Sequence, residues 1–138
     1  MKEGRSAAGY FRALGHPVRL EIMRILSAEG EACVCHLEAR LGLRQAYLSQ
    51  HLARLRLAGL VVDRREGLNV YYRPASAAIR KLLEAGARLE TALGAAGDVR
   101  RVAGASADPG QEPCPCPRCQ VAGVRAAKKS TMALVAGQ

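Results

Sequence analysis

The stretch Glu31–Gly59 limits the fold of this chain more than any other. It reads E-A-C-V-C-H-L-E-A-R-L-G-L-R-Q-A-Y-L-S-Q-H-L-A-R-L-R-L-A-G, and two short amphipathic patterns meet in it at Gly42. In the second pattern Leu48, Leu52 and Leu55 recur at i, i+4 and i+7, one stripe of a 3.6-residue helix. At about 100° per residue the opposite side carries Ala46, Tyr47, Ser49, Gln50 and Arg54, with His51 on the flank. In the first pattern Leu37 and Leu41 make a short apolar edge, and Gly42 suits the sharp turn behind it. Two short helices joined this way are a helix-turn-helix. A polar-faced helix also fits the surface of an ordinary helical domain, so the residues that follow decide between the two.

After Gly59 come Leu60-Val61-Val62, a charged run from Asp63 to Asn69 containing Gly67, and then Val70-Tyr71-Tyr72-Arg73-Pro74. Two β-branched or aromatic runs around a charged turn predict a hairpin. A hairpin directly behind the second helix is a wing, so the expected fold is mainly α with a small β-hairpin wing, a winged helix-turn-helix. The polar side of the second helix is chemically suited to a DNA major groove. Arg44, Gln45, Ala46, Tyr47, Ser49 and Gln50 are the residues expected at bases and nearby backbone. Arg54, Arg64, Arg65 and Arg73 are expected beside phosphates.

Charge agrees with that partner. Lys plus Arg is 21 against 12 Asp plus Glu, a formal net charge of +9, which favours nucleic acid or an acidic membrane surface. The distribution discriminates better than the total. Between Arg40 and Arg73 seven arginines stand against only Asp63 and Glu66. No apolar run approaches a membrane span and no signal-peptide pattern opens the chain, so the expected setting is the cytoplasm, without membrane contact.

The other segments are ordinary. Met1 to Ala8 reads as a polar, frayed arm, followed by a short helix from Tyr10 to Leu14. Pro17 suits the first turn of a helix running to about Ala28 and ended by Gly30, with Leu20, Ile22, Met23, Ile25 and Leu26 as core residues. His16 reads as a hydrogen-bonding residue at that helix start. Ser76 to Leu93 forms the next helix, with Ile79, Leu82, Leu83, Leu89 and Leu93 on one side. The domain division is then 1–95, a winged-helix DNA-binding domain, and 96–138, a flexible cysteine-containing tail rich in Gly, Ala, Asp and Ser at its start.

All five cysteines fall in two clusters, Cys33 and Cys35, and Cys114, Cys116 and Cys119 in a Pro-stiffened run. An odd count does not suit a disulfide framework and points to metal or redox chemistry. Cys33 and Cys35 stand at a helix start, where free N–H groups favour thiolate, the metal-binding form. Residues two apart lie about 200° apart on a regular helix, so the pair converges on one ion only if the first turn is irregular. Soft thiolates select soft ions. Three suit trivalent arsenic or antimony; four suit cadmium, lead or zinc.

These pieces together resemble the ArsR/SmtB family of bacterial winged-helix repressors. The matching runs are Ala13-Leu14-Gly15-His16-Pro17-Val18-Arg19-Leu20, Leu48-Ser49-Gln50-His51-Leu52-Ala53-Arg54-Leu55, Gly59-Leu60-Val61, Arg65-Glu66-Gly67 and Val70-Tyr71-Tyr72. The family's thiolate-sensing branch carries Glu-Leu-Cys-Val-Cys-Asp-Leu where this chain has Glu31-Ala32-Cys33-Val34-Cys35-His36-Leu37. The change of Asp to His36 adds an imidazole that can ligate. The resemblance implies a homodimer formed through the first and last helices, which makes 1–95 a dimerisation domain as well; packing within one chain alone is the other reading of the apolar stripe on the last helix. It implies arsenite or antimonite, As(III) or Sb(III), as effector, with Cys33 and Cys35 as two ligands; Cd(II) or Pb(II) come next. The third ligand is then expected from Cys114, Cys116 or Cys119, of the same chain or the other subunit. The Asp, His and Glu ligands that many relatives carry on the last helix are replaced here by Arg80, Lys81, Glu84, Arg88 and Glu90, so an interfacial zinc site is not expected.

Three other readings compete. The tail could hold a structural zinc on a constitutive DNA binder. The thiols could read redox state or reactive sulfur. An enzyme could use Cys35 as nucleophile and His36 as base, but adjacent residues rarely orient such a pair and no supporting pocket is visible; no enzyme activity and no organic cofactor are expected. A metal-buffering protein would not need the arginine-rich half.

Overall fold

The structure, a computed structural model, describes residues 5–95. Five helices and three short strands follow in the order α1 (Ala7–Leu14), α2 (Pro17–Glu29), β1 (Ala32–Cys33), α3 (Val34–Leu41), α4 (Gln45–Leu57), β2 (Val61–Glu66), β3 (Asn69–Pro74) and α5 (Ala77–Ala92). This is a winged helix-turn-helix.

Helix α1 starts three residues before the expected Tyr10, because the Ser6 hydroxyl accepts the Gly9 N–H at 3.1 Å and satisfies a backbone donor there. His16 does the same for α2: its Nδ1 accepts the Val18 N–H at 3.2 Å, while Pro17 fits the first turn. Arg19 ties the two helices, donating from Nε to the Ala13 carbonyl at 2.5 Å. Arg24 of α2 reaches Glu90 of α5 at 3.0 and 3.1 Å.

The core lies where α2, α3, α4 and the base of the sheet meet. Ile22, Met23, Leu26, Leu37, Leu48, Leu52, Leu55 and Val61 are its most deeply buried side chains. Each contributes roughly 1.5–3 kcal/mol by leaving water, and the three leucines of α4 are the stripe legible in the sequence. Ile79 and Leu83 close the core from α5. Leu20 is only partly buried at its edge.

Between α3 and α4, Gly42 adopts φ 64° and ψ 26°, the left-handed conformation. A side chain is disfavoured there, and the turn sets the angle between the two helices. The wing is tighter than expected. β2 and β3 pair from Val61↔Pro74 to Glu66↔Asn69, so the charged residues Asp63 to Glu66 belong to the strand. The turn is Gly67-Leu68 alone. Gly67 has φ 60° and no residue other than glycine has positive φ among those described, the pattern of a type II′ hairpin turn. Leu68 stands fully exposed at the tip.

The third strand is the main addition. Ala32 and Cys33 pair antiparallel with Tyr72 and Tyr71, giving the order β1-β3-β2. The wing is therefore stitched to the chain just ahead of α3. Among the described residues no helix is long and apolar enough to cross a membrane.

Candidate DNA interface and thiol site

Helix α4 presents the face that its pattern predicts. Leu48, Leu52 and Leu55 point inward, and Arg44, Gln45, Ala46, Tyr47, Ser49, Gln50 and Arg54 are exposed. Arg44 is the N-cap residue, so its side chain projects from the end of the helix. His51, expected on the flank, is buried at 8% exposure. Its ring lies 4.4 Å from that of His16 and stands edge-on to Tyr47 at 4.5 Å, centroid to centroid. Both its ring nitrogens are buried without a hydrogen-bond partner among the described residues. Burial, then the neighbouring His16, Arg19 and Arg54, hold its pKa below the ordinary histidine value. His16 is lowered as well, by burial and then by Arg19.

The seven arginines from Arg40 to Arg73 divide into two groups. Arg40 pairs with Glu29 at 3.3 Å and Arg56 with Asp63 at 3.6 Å. Arg64, expected to lie open to phosphate, is instead directed to carboxylates: Glu31 at 2.5 Å and Glu66 at 2.6 Å, with its guanidinium 5.0 Å over the Tyr71 ring. The two carboxylates raise its pKa further above the ordinary arginine value. Arg64 thus braces the wing against the residue that precedes β1. Arg44, Arg54, Arg65 and Arg73 are exposed and make no ion pair among the described residues. Those four carry the free positive charge of this half.

The thiol pair sits at the junction of β1 and α3. Cys33 is both the last residue of β1 and the N-cap of α3, with extended backbone angles of φ −86° and ψ 165°. Cys35 lies in the first turn. That break in helical geometry removes the 200° separation expected of a continuous helix, and the two Sγ atoms lie 2.8 Å apart, with no disulfide joining them. Cys33 is 3% exposed and packs on Tyr71, with Cys35 partly buried beside them. The sequence placed neither cysteine on an apolar stripe, and Cys33 is buried because a two-residue strand with no readable period pairs it with the wing. His36 turns to Glu29, its Nε2 against Oε2. No group of three or more His, Cys, Asp or Glu fit to hold a metal occurs among the described residues. Cys114, Cys116 and Cys119 lie outside them, as does the proposed tail domain from 96 to 138.

This geometry has known relatives. Residues 16–62, from His16 through the start of the wing, match the family described as bacterial regulatory protein, arsR family. The biofilm growth-associated repressor of Agrobacterium fabrum is 43% identical over 84 residues, which are 61% of this chain and 71% of that protein. The chain belongs to the arsR family. The arsenic resistance transcriptional regulator ArsR1 of Pseudomonas putida is 46% identical over 63 residues, 46% of this chain. The match spans about half of that regulator's length, 49%. Among solved structures, HlyU from Vibrio cholerae superposes with a TM-score of 0.55 at 38% identity, covering 59% of this chain and 88% of its own. These relatives are regulators of transcription, and the enzyme reading falls away with them.

Proposed function

We propose that this arsR-family protein is a homodimeric, cytoplasmic transcriptional repressor that leaves its operator when Cys33, Cys35 and thiols of Cys114, Cys116 or Cys119 take up a thiophilic ion. Arsenite or antimonite is favoured, with cadmium or lead next. The observation that carries the reading is the thiol pair, two sulfurs 2.8 Å apart at the joint between the wing sheet and the helix before α4. An arsenic resistance regulator among the relatives supports the choice of effector.

The donor set sets a condition. Two thiolates do not complete a three-coordinate site, and no third donor stands with them among the described residues. The tail cysteines of this chain or of a second copy supply the rest. The bound ion supplies a soft Lewis acid that gathers thiolates. Cys33 and Cys35 translate that demand into structure. Cys33 is the strand partner of Tyr71 and caps α3, so displacing its sulfur disturbs β1–β3 pairing and the first turn of α3 together. Both elements position the DNA surface, α3 through the Gly42 turn into α4 and β3 through the wing.

On the operator side, Arg44, Gln45, Ala46, Tyr47, Ser49 and Gln50 enter the major groove of double-stranded DNA, and Arg54, Arg65 and Arg73 hold phosphates. Arg64 acts as a brace. Dimerisation uses α1 and α5. A largely apolar groove of about 280 Å³ opens between these helices and α2, lined by Phe11, Leu14, Leu20, Leu82, Leu83 and Leu89. Phe11 and Leu89 are each 60% exposed and Leu93 73%, more apolar surface than a small domain needs to leave in water.

The test is fluorescence anisotropy of a labelled operator fragment with reduced protein, titrated with arsenite, antimonite, cadmium, lead and zinc. Arsenite is expected to weaken DNA affinity by 5- to 150-fold, about 1–3 kcal/mol of coupling. Cys35→Ser, and separately the Cys114, Cys116 and Cys119 triple serine variant, should bind DNA like wild type and lose most of that response. Equal release of wild type and Cys35→Ser would sink the site assignment. A second reading, a thiol redox or reactive-sulfur sensor, is favoured by the same short separation. Release by peroxide or polysulfide, with none by any metal, would select it.

A further inference from the structure

A pocket of about 270 Å³ opens where α1, the start of α2 and the end of α4 meet. Arg12, Arg19 and Arg54 line it together with Gly9, Ala13 and Leu57, and no carboxylate does. Arg12 and Arg54 are exposed and have no ion-pair partner among the described residues. Arg19 gives Nε to the Ala13 carbonyl and one Nη2 hydrogen to the Arg12 carbonyl at 3.5 Å. A guanidinium has five N–H donors, so three remain. Three cationic side chains around one concave site repel one another unless an anion joins them. Elsewhere in the described fold Arg24, Arg40, Arg56, Arg64 and Arg80 are each paired with a carboxylate, whereas Arg44, Arg65 and Arg73 on the DNA-reading half are, like the pocket's arginines, without one among the described residues.

The pocket lies in line with the DNA-reading face. Tyr47 and Arg54 are seven residues apart on α4, within about 20° of each other around the helix at roughly 100° per residue. Their separation along the axis is about 10 Å at 1.5 Å per residue, close to the ~12 Å width of a B-DNA major groove. With the turn of Tyr47 in the groove, Arg54 stands at the groove wall, where the phosphates run. The start of α2 is beside the middle of α4, since His16 touches His51. We propose that this pocket takes a phosphodiester group of the bound duplex, held by Arg12 and Arg19 with Arg54, so that the DNA footprint extends beyond α4 and the wing onto α1 and α2. The inference rests on the DNA-binding reading above. A free phosphate shares the chemistry.

The experiment measures affinity for the operator duplex and for an unrelated duplex from 50 to 200 mM potassium chloride. It compares wild type, Arg12→Ala, Arg12→Lys and, as a control for lost charge, Arg88→Ala on α5. One lost phosphate contact reduces the slope of log K against log salt by about 0.9. Across that fourfold salt range Arg12→Ala should therefore lose roughly 3.5-fold less affinity than wild type, on both duplexes alike. Arg12→Lys should keep the wild-type slope, and Arg88→Ala should stay close to it. An Arg12→Ala slope equal to that of Arg88→Ala would overturn the proposal. So would calorimetric binding of inorganic phosphate to the free protein that Arg12→Ala abolishes while its salt slope stays wild type, which assigns the pocket to a free anion. A wild type that binds no duplex would sink the DNA reading itself. Binding with an unmoved Arg12→Ala slope would sink this inference alone.

Discussion

Acidification should destabilise this domain through His51, and the structure fixes the sign. His51 is buried on α4, and its two ring nitrogens have no acceptor or donor among the described residues. The groups that face it are His16 at the start of α2, Arg19 on α2, and Tyr47 and Arg54 on its own helix. None is a carboxylate, so a charge on the ring is penalised by burial and by every charged neighbour. The folded pKa lies below the ordinary 6.5, so just below pH 6.5 the unfolded chain binds the proton and the folded chain does not. Stability from this group is fully present above pH 6.5 and is lost as pH falls towards the folded pKa. One proton of difference gives a slope of up to about 1.4 kcal/mol per pH unit. His16 adds a second contribution of the same sign, because its Nδ1 must stay unprotonated to accept the Val18 N–H. The assay is urea unfolding at pH 7.5, 6.5, 6.0 and 5.5 for wild type, His51→Leu, and His51→Leu combined with His16→Asn, which keeps a capping oxygen. A change in overall stability shifts the whole curve, and the slope isolates the proton. Removing His51 should flatten it by up to one proton, and the double variant should flatten it further. A His51→Leu slope identical to wild type between pH 6.5 and 5.5 would refute the argument.

Two further outcomes test the surface. Arg65→Ala should lower the salt slope of operator binding by about 0.9, whereas Arg64→Ala, whose guanidinium is held by Glu31 and Glu66, should leave that slope nearly unchanged and speed amide exchange in β2 and β3; equal slope changes for the two variants would return Arg64 to the phosphate contacts. On the dimer proposed above, Leu89→Glu should dissociate the two copies. Covering the exposed part of one Leu89 is worth about 1–2 kcal/mol and a two-fold interface covers two, so the dimer constant should weaken by roughly 30- to 900-fold, as sedimentation equilibrium would show, and an unchanged constant would move the interface elsewhere.

What the sequence revealed and what it hid differ by the range of the interactions involved. The Leu48, Leu52 and Leu55 stripe, the Gly42 turn and the hairpin are local patterns, and they place α3, α4 and the wing without any knowledge of partners. Helix α5 and the break at His16-Pro17 are legible for the same reason. His51 sits about 40° from Leu55 around α4 by the helical wheel, at the edge of the stripe. Only the arrival of His16 from another helix turns that edge into core. The Ser6 cap sets the start of α1 three residues ahead of the expected Tyr10, a shift that rests on one side-chain hydroxyl and not on the apolar pattern. The tail cysteines lie outside the described residues.

The arginines show most clearly why composition overstates a binding surface. Seven of them between Arg40 and Arg73 look like one basic field in the sequence. Folding brings Glu29 onto Arg40, and Glu31, thirty-three residues away in the chain, onto Arg64. A phosphate approaching Arg64 would have to displace two carboxylates already in contact with it, and it would also release the wing from the residue two before Cys33. Arg64 therefore contributes less to attracting DNA than to linking the thiol site with the wing. Arg12 and Arg19, which lie outside that stretch, face a pocket with no carboxylate at all. The charge that remains for DNA is thus redistributed, away from the middle of β2 and towards α1 and the ends of α4. On the function proposed above, that redistribution would separate the switch from the grip: the thiols would act on a wing held by Arg64, while the phosphates would be held by arginines that the thiols do not touch.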